Sequence, residues 1–479
     1  MVTNSANRIF SRLMLKSWLP KIPFLVCIAL FVLHGYVVQK HAVNIPYWDD
    51  WAMFSGDNHP ASIDLRWLQA QHNEHRIATT KSLNWLQFQV NGWNIRVNLA
   101  INFVLYGGLL VCLVWFARGP SPPLPTWAIL AFTIFLLSPI NWFNHAMAMQ
   151  SAFHFCVLFF FLACGFLFDE RQRFRELFLA CLAAVLCIYS LAGGWVSTLV
   201  LLVAFCVFKV LRARQAIDQA RRRELLQLML VGGIVGGALV IWTIGYFKPP
   251  HHPAIVYPYT VEFWLFFLNL VSLAFGFMRI STVVGILCLL IILAPICGEV
   301  WKRRRDVAKL RWAPCIAVFG ILTNVASITA GRAGFGLGLA KTDRYFEFVM
   351  ALVLLSVINW AVFLHDQRRL RIAVLAGLWI LCCATFARKW DFGPYRTSSA
   401  ERLEGVRCVQ AYYQGEGDGR CPTIFPDSLA PFLDQGKRLN ASYYRDLNLV
   451  SSERKTGGNS EADPNRAAGQ IVLADKTGP

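Results

Sequence analysis

The chain has 479 residues, 56% of them hydrophobic and 15% charged, with a mean hydropathy of +0.46, against roughly 25% charged residues in an average soluble domain. That composition excludes a water-soluble enzyme: apolar runs of about 20 residues, separated by charged clusters, describe an all-α polytopic membrane protein. The formal charge of +18 therefore bears on topology rather than on nucleic acid, because cytoplasmic loops collect Lys and Arg.

In chain order, the first span covers 22–38 and follows Arg8, Arg12, Lys16 and Lys21 with no acid before it, which places the N terminus in the cytoplasm. No small-residue cleavage site follows, so this is an uncleaved helix rather than a signal peptide. Further spans fall near 97–117, 127–145, 151–168, 176–192, 195–211, 226–247, 281–299, 312–330, 345–364 and 371–387, making eleven. With sides alternating, the segments assigned to the cytoplasm hold +16 of the +18. The loop 39–96 has five acids and five bases, and the tail from 388 has twelve and thirteen; both suit the outer side. Residues 261–279 are apolar enough to span, but counting them puts Lys302, Arg303, Arg304 and Arg305 outside. They are expected as an interfacial or re-entrant helix, with Phe263, Trp264, Phe266 and Phe267 at the interface.

Residues 1–390 thus form the membrane domain, 391–450 a small external cap, and 451–479 a disordered end. Twelve of the fourteen cysteines lie in or beside spans and read as small hydrophobes, whereas Cys408 and Cys421 can close one loop in an oxidising compartment. No Walker A loop, dinucleotide fingerprint, sequence repeat or zinc spacing is present.

Chemistry concentrates in the outer segments. The run Tyr47-Trp48-Asp49-Asp50-Trp51 puts two acids among aromatics beside a span; they are either surface acids in an aromatic belt or a general base at a cavity mouth. The run His72-Asn73-Glu74-His75-Arg76 lies in a stretch, 64–93, of roughly helical spacing that suits one or two amphipathic helices along the bilayer surface. His72 and His75 would share a helix face, but the HExxH order is missing, so an anion or sugar site is favoured over a metal site. Arg76 and Lys81 would supply fixed positive charge there, with His75 bonding a phosphate oxygen. The same side collects Asn141, His145, Gln150, Lys248, His251, His252, Arg332, Lys341, Asp343, Arg344 and Tyr345. Arg332 and Arg344 flank a glycine-rich stretch where guanidinium forks can grip a phosphate; the alternative is interfacial snorkelling.

This layout resembles the GT-C superfamily of integral membrane glycosyltransferases that use polyprenyl-phosphate sugars. The shared features are a cytoplasmic N terminus, one span, an external first loop opening with paired acids, surface-lying helices, many further spans and an external C-terminal part. The WDDW and HNEHR elements, the segment ending at Gln150, and the stretch Gly331 to Tyr345 also resemble those of a bacterial group with this layout. The pair here is Asp-Asp where many members carry Asp-Glu, and the loop has no Asp-x-Asp motif, so a divalent metal is possible but not favoured. The resemblance implies a bacterial cytoplasmic-membrane enzyme that moves a sugar, with inversion, from a polyprenyl-phosphate donor to a hydroxyl of a glycan, lipid or protein acceptor. Asp49 or Asp50 would be the base; Arg76, Arg332 and Arg344 would stabilise the departing phosphate; His72, Glu74, His75, Lys81, Gln150 and Tyr345 would line the site. The rival expectations are a transporter or lipid flippase, disfavoured because the span centres hold few ionisable residues, and an enzyme resembling O-antigen ligases or polymerases.

Overall fold

The computed structural model describes residues 21–55, 61–119, 124–169, 172–250, 252–304 and 310–447. The expected end segment 451–479 and the basic residues Arg8, Arg12 and Lys16 lie outside them. Among the described residues the protein is helical, and its β pairings are two isolated bridges.

The chain begins with α1 (Ile22–Lys40); after the first loop and its helix α2 (Ala78–Asn91) come α3 (Ile95–Arg118) and α4 (Thr126–Leu136). Pro139, which cannot donate to the helical ladder, interrupts α4, and short turns carry the chain through His145 and Gln150 into α5 (Ser151–Leu167). Then follow α6 (Phe174–Ile188), α7 (Ala192–Gln215), α8 (Asp218–Thr243), α9 (Val261–Leu273), α10 (Thr282–Lys302) and α11 (Trp312–Arg332). A run of short turns from Ala333 leads into α12 (Ala351–Phe363), then α13 (Arg368–Lys389), the tail helix α14 (Gly393–Gln414) and α15 (Ala430–Arg438).

Among the described residues, ten helical segments are long and apolar enough to cross a membrane, one fewer than expected. The difference is α6. Its 15 residues fall below the length of the other ten, yet Leu191 just beyond it lines the same cavity as Gln150 just before α5, so α6 returns the chain to the end of the bundle that α5 left. The chain then reverses at once: a side chain on Gly194 would lie 2.0 Å from the Cys187 carbonyl, and Ser190 Oγ donates to the Leu186 carbonyl. α6 still presents Phe174, Phe178 and Leu182 outward while packing Leu177, Cys181 and Ala184 against its neighbours. The 13 residues of α9 are also apolar and fall below that length. Its aromatics are not at a surface as expected: Phe263, Phe266 and Phe267 are core residues and Trp264 alone is exposed. Gly285 lets α10 approach so closely that an added Cβ would meet the Leu268 carbonyl at 2.4 Å, which draws α9 into the bundle.

α12 is buried on nearly every face, whereas α1 buries His34 and Val38 and exposes Ile22, Phe24, Leu25 and Ile28. Apolar surface exposed in this way suits lipid, not water. In α2 the pattern is inverted relative to a soluble helix. Thr80, Lys81, Asn84 and Gln87 face the bundle, and Leu86 and Val90 face outward. Inside, Thr80 bonds Ser151 (2.9 Å) and Asn98 Nδ2 donates to Asn84 Oδ1 (3.0 Å), whereas both polar atoms of Gln87 are buried without a partner in the protein; the outward apolar face fits a helix lying along a bilayer.

Candidate active site

Five connections between helices, with the end of α11, meet at one end of the bundle and line a cavity of about 350 Å³. Asp49, His72, Glu74, His75, Gln150, His252, Asn324, Arg332, Arg344 and Tyr345 line it, with apolar walls from Ile77, Phe153, Ile328 and Phe348. Side chains far apart in sequence and expected on one face are therefore neighbours.

The two acids of the first loop part company. Trp48 has φ +50°, a region that bulky residues rarely occupy, and its N–H donates to the Ile424 carbonyl of the tail at 2.8 Å. This twist turns Asp50 inward and leaves Asp49 on the cavity wall. The Asp50 carboxylate accepts N–H bonds from Met149 (2.8 Å), Tyr47 (3.2 Å) and Ala148 (3.3 Å). Burial pushes its carboxyl up to about 6, against the opposing pull of those N–H groups and of Arg402. With three backbone N–H groups on its oxygens and no exposure, Asp50 anchors the 146–150 turn, and Asp49 is the acid of the pair that lines the cavity.

The HNEHR run is not helical. His72 and His75 exchange backbone bonds of 2.8 and 2.9 Å across a tight turn in which Asn73 takes φ +50°, so both imidazoles reach the cavity by a route other than a shared helix face. The Ala192 N–H donates to His75 Nδ1 at 3.3 Å, which leaves the ring proton on Nε2, 3.4 Å from Glu74. Burial lowers His75 to about 4 and lowers His72 as well; both are neutral donors near pH 7. Burial opposes ionisation of Glu74, but His75, Arg332 and His252 outweigh it and hold the carboxyl below its usual range. Glu74 accepts a bond from Arg332, and His252 Nε2 is 3.5 Å away.

Arg344 is held from behind, Asn144 Nδ2 donating to its carbonyl at 3.0 Å, and its guanidinium lies 5.3 Å from the centre of the Tyr345 ring. Its Nε, Gln150 Oε1 and Asn324 Oδ1 are buried and make no hydrogen bond within the protein. With Glu74 matched by Arg332, the lining also carries the Asp49 carboxylate and the cations Arg344 and Lys248. Such a surface can accept a proton at one point and hold an anion at another. Among the described residues no group of three or more His, Cys, Asp or Glu is arranged to hold a metal ion.

Arg76 and Lys81 are not brought to the cavity. Arg76 Nε donates to the Trp242 carbonyl (3.0 Å), Nη2 to Ile244 (2.7 Å) and Nη1 to Gln69. Lys81 donates to Trp67 (2.7 Å) and Ala70 (2.6 Å), and burial, with Arg76 nearby, lowers it to about 8. The carbonyls at the ends of α8 and of the short helix Leu65–Gln69 lack intrahelical donors, and these two cations fill that need instead of serving a ligand.

Two features escape sequence reading. The tail closes over the first loop: Glu401 accepts from Tyr47 Oη at 2.8 Å, buried Arg402 donates to the Ala146 carbonyl and lies 4.6 Å from the Tyr47 ring, and Asn44 bonds Ser442 and Asp446. Cys408 and Cys421 are disulfide-bonded within it. The second is a polar nest inside the bundle, where His34, His145, His154 and Glu347 are all fully buried. These four lie near the ends of their expected spans rather than at the span centres. The available signal was three histidines and an acid inside apolar runs, which are costly there unless partnered or used.

Compared with protein-family models, with curated proteins and with solved structures, the chain matches none.

Proposed function

We propose that the protein is an inverting glycosyltransferase that moves a sugar from a polyprenyl-phosphate donor to an acceptor hydroxyl at the outer face of a bacterial cytoplasmic membrane. The observation that carries this reading is the single cavity at one end of a membrane bundle that holds the Asp49 carboxylate together with Arg344 and the Glu74–Arg332 pair. Asp49 takes the acceptor hydroxyl proton; the oxygen attacks the anomeric carbon, and the bond from that carbon to the phosphate oxygen breaks with its electron pair leaving on the phosphate. Arg344, Arg332 and the Nε2–H of His75 stabilise that charge in a site screened from water by Phe153, Ile328 and Phe348. Exposed Phe247, Ile255 and Tyr257, on the connection between α8 and α9, offer an apolar approach for the prenyl chain from the bilayer. Glycan, lipid and protein hydroxyls all fit as acceptors, and the chemistry needs no metal.

A transporter or lipid flippase is the second reading, favoured by the buried histidines and Glu347. Purified full chain in lipid, given radiolabelled polyprenyl-phosphate hexoses and pentoses and an extract of surface glycans, separates the two: release of polyprenyl phosphate with sugar transferred supports the enzyme. Movement of the labelled lipid between leaflets with no cleavage would favour the flippase instead.

A further inference from the structure

The nest inside the bundle is built around one carboxylate. Glu347, at the turn before α12, accepts from Asn141 Nδ2 at 3.0 Å and lies 2.8 Å from His154 Nδ1, with no exposure of either side chain. The ring of His145 stacks on that of His154, centroids 5.4 Å apart and planes 23° apart, and meets His34 edge-on at 5.1 Å. His34 Nε2 lies 2.7 Å from the Tyr395 hydroxyl, so the rings form a row from the tail to Glu347. Three ring nitrogens in this row are buried without a hydrogen bond in the protein, both of His145 and Nε2 of His154, while His34 also bonds the Leu137 backbone.

A carboxylate sealed from solvent is tolerated as an anion only against a positive charge. The groups facing this one are His154 from α5, Asn141 and His145 from the broken turn, and Tyr106 from α3, whose ring centre lies 5.7 Å from that of His154 and 4.6 Å from that of His145. Among these the member able to carry a positive charge in contact with Glu347 is His154. An imidazolium there gives each Glu347 oxygen one donor.

We propose that His154 and Glu347 form a buried proton-binding site. Uptake converts the His154 lone pair into an N–H bond, and release restores the lone pair; no other bond changes. The site stands independently of the chemistry in the cavity.

The test uses full chain labelled with ¹⁵N-histidine in liposomes of phosphatidylethanolamine and phosphatidylglycerol, observed by solid-state NMR between pH 5 and 9. The expected result is a doubly protonated imidazole that disappears as pH rises, is absent from His154→Gln, and in Glu347→Gln titrates at least about one pH unit lower, a tenfold loss of proton affinity. If His154→Gln does not insert, the wild-type minus Glu347→Gln difference spectrum must contain the same signal, because the glutamine keeps the shape and the Asn141 bond. A wild-type spectrum identical to that of Glu347→Gln at every pH, or a signal unchanged in His154→Gln, overturns the proposal.

Discussion

The two neighbouring acids of the first loop should fail in different ways when altered. Asp50→Ala leaves the N–H groups of Tyr47, Ala148 and Met149 without an acceptor. At about 1–3 kcal/mol each, and toward the low end for the two bonds above 3 Å, this costs roughly 4–6 kcal/mol. Against it stands the relief of a buried charge. A carboxyl at about 6 in the folded protein and about 3.9 when unfolded lowers stability by about 3 kcal/mol at pH 7. The net penalty is then about 1–3 kcal/mol. Because the folded pKa is raised, the favourable share of Asp50 is complete below pH 4 and lost as pH rises through 6, so the penalty of the alanine should grow on acidification. Asp49→Asn should leave thermal unfolding in detergent unchanged and lower sugar transfer by about 10²–10⁴-fold, the usual worth of a general base. Thermal melts at pH 4.5 and 7, beside transfer assays on the folded fraction, read both. An Asp50→Ala protein that melts like wild type and is inactive, or an active Asp49→Asn protein, would refute the division of labour.

Arg344→Gln should reduce turnover by about 100-fold with little loss of stability, whereas Arg76→Met and Lys81→Met should lower the melting temperature and keep turnover per folded molecule; equal turnover defects in all three would contradict the cavity assignment. His75, lowered to about 4 in the folded protein from about 6.5, contributes up to about 3 kcal/mol that is complete above pH 6.5 and lost as pH falls toward 4. His75→Asn, which can still accept from Ala192, should flatten that acid limb in melts. Replacing Cys408 and Cys421 by alanine opens a link across 13 positions, worth about 3 kcal/mol for a loop of this length; limited proteolysis should then cut between α14 and α15, and transfer should fall because the Ile424 carbonyl that holds Trp48 loosens. Unchanged cleavage would show that the tail is held by its contacts with the first loop alone.

Much of the architecture was legible because lipid imposes length. Among the described residues, ten helices long and apolar enough to cross a membrane, the short apolar helix at 261–273 and the polar tail follow from runs of hydrophobic residues and the charges between them. The gathering of Asp49, His72, His75, Gln150, Arg332 and Arg344 was anticipated from alternation of sides, since segments on one face of a bundle have few places to go. The end of α6 was less legible, because a helix of 15 residues and its turn have the same composition as a full span.

Local sequence determined which residues are dear to bury, and so which ones need a reason: acids beside a span, histidines within apolar runs, cations in a neutral loop. It could not determine the partner that supplies the reason. Asp49 and Asp50 are adjacent and chemically identical, yet the backbone twist at Trp48, held by a carbonyl more than 370 positions away, points one at the cavity and the other at three N–H groups. Arg76 and Arg332 are both guanidinium groups near Glu74 in space or in sequence, but unfilled helix-end carbonyls take the first and the carboxylate takes the second. Tertiary structure decided these cases because a polar group out of water takes whichever complementary atom the packed chain places within about 3 Å, and that distance is a property of the assembled bundle.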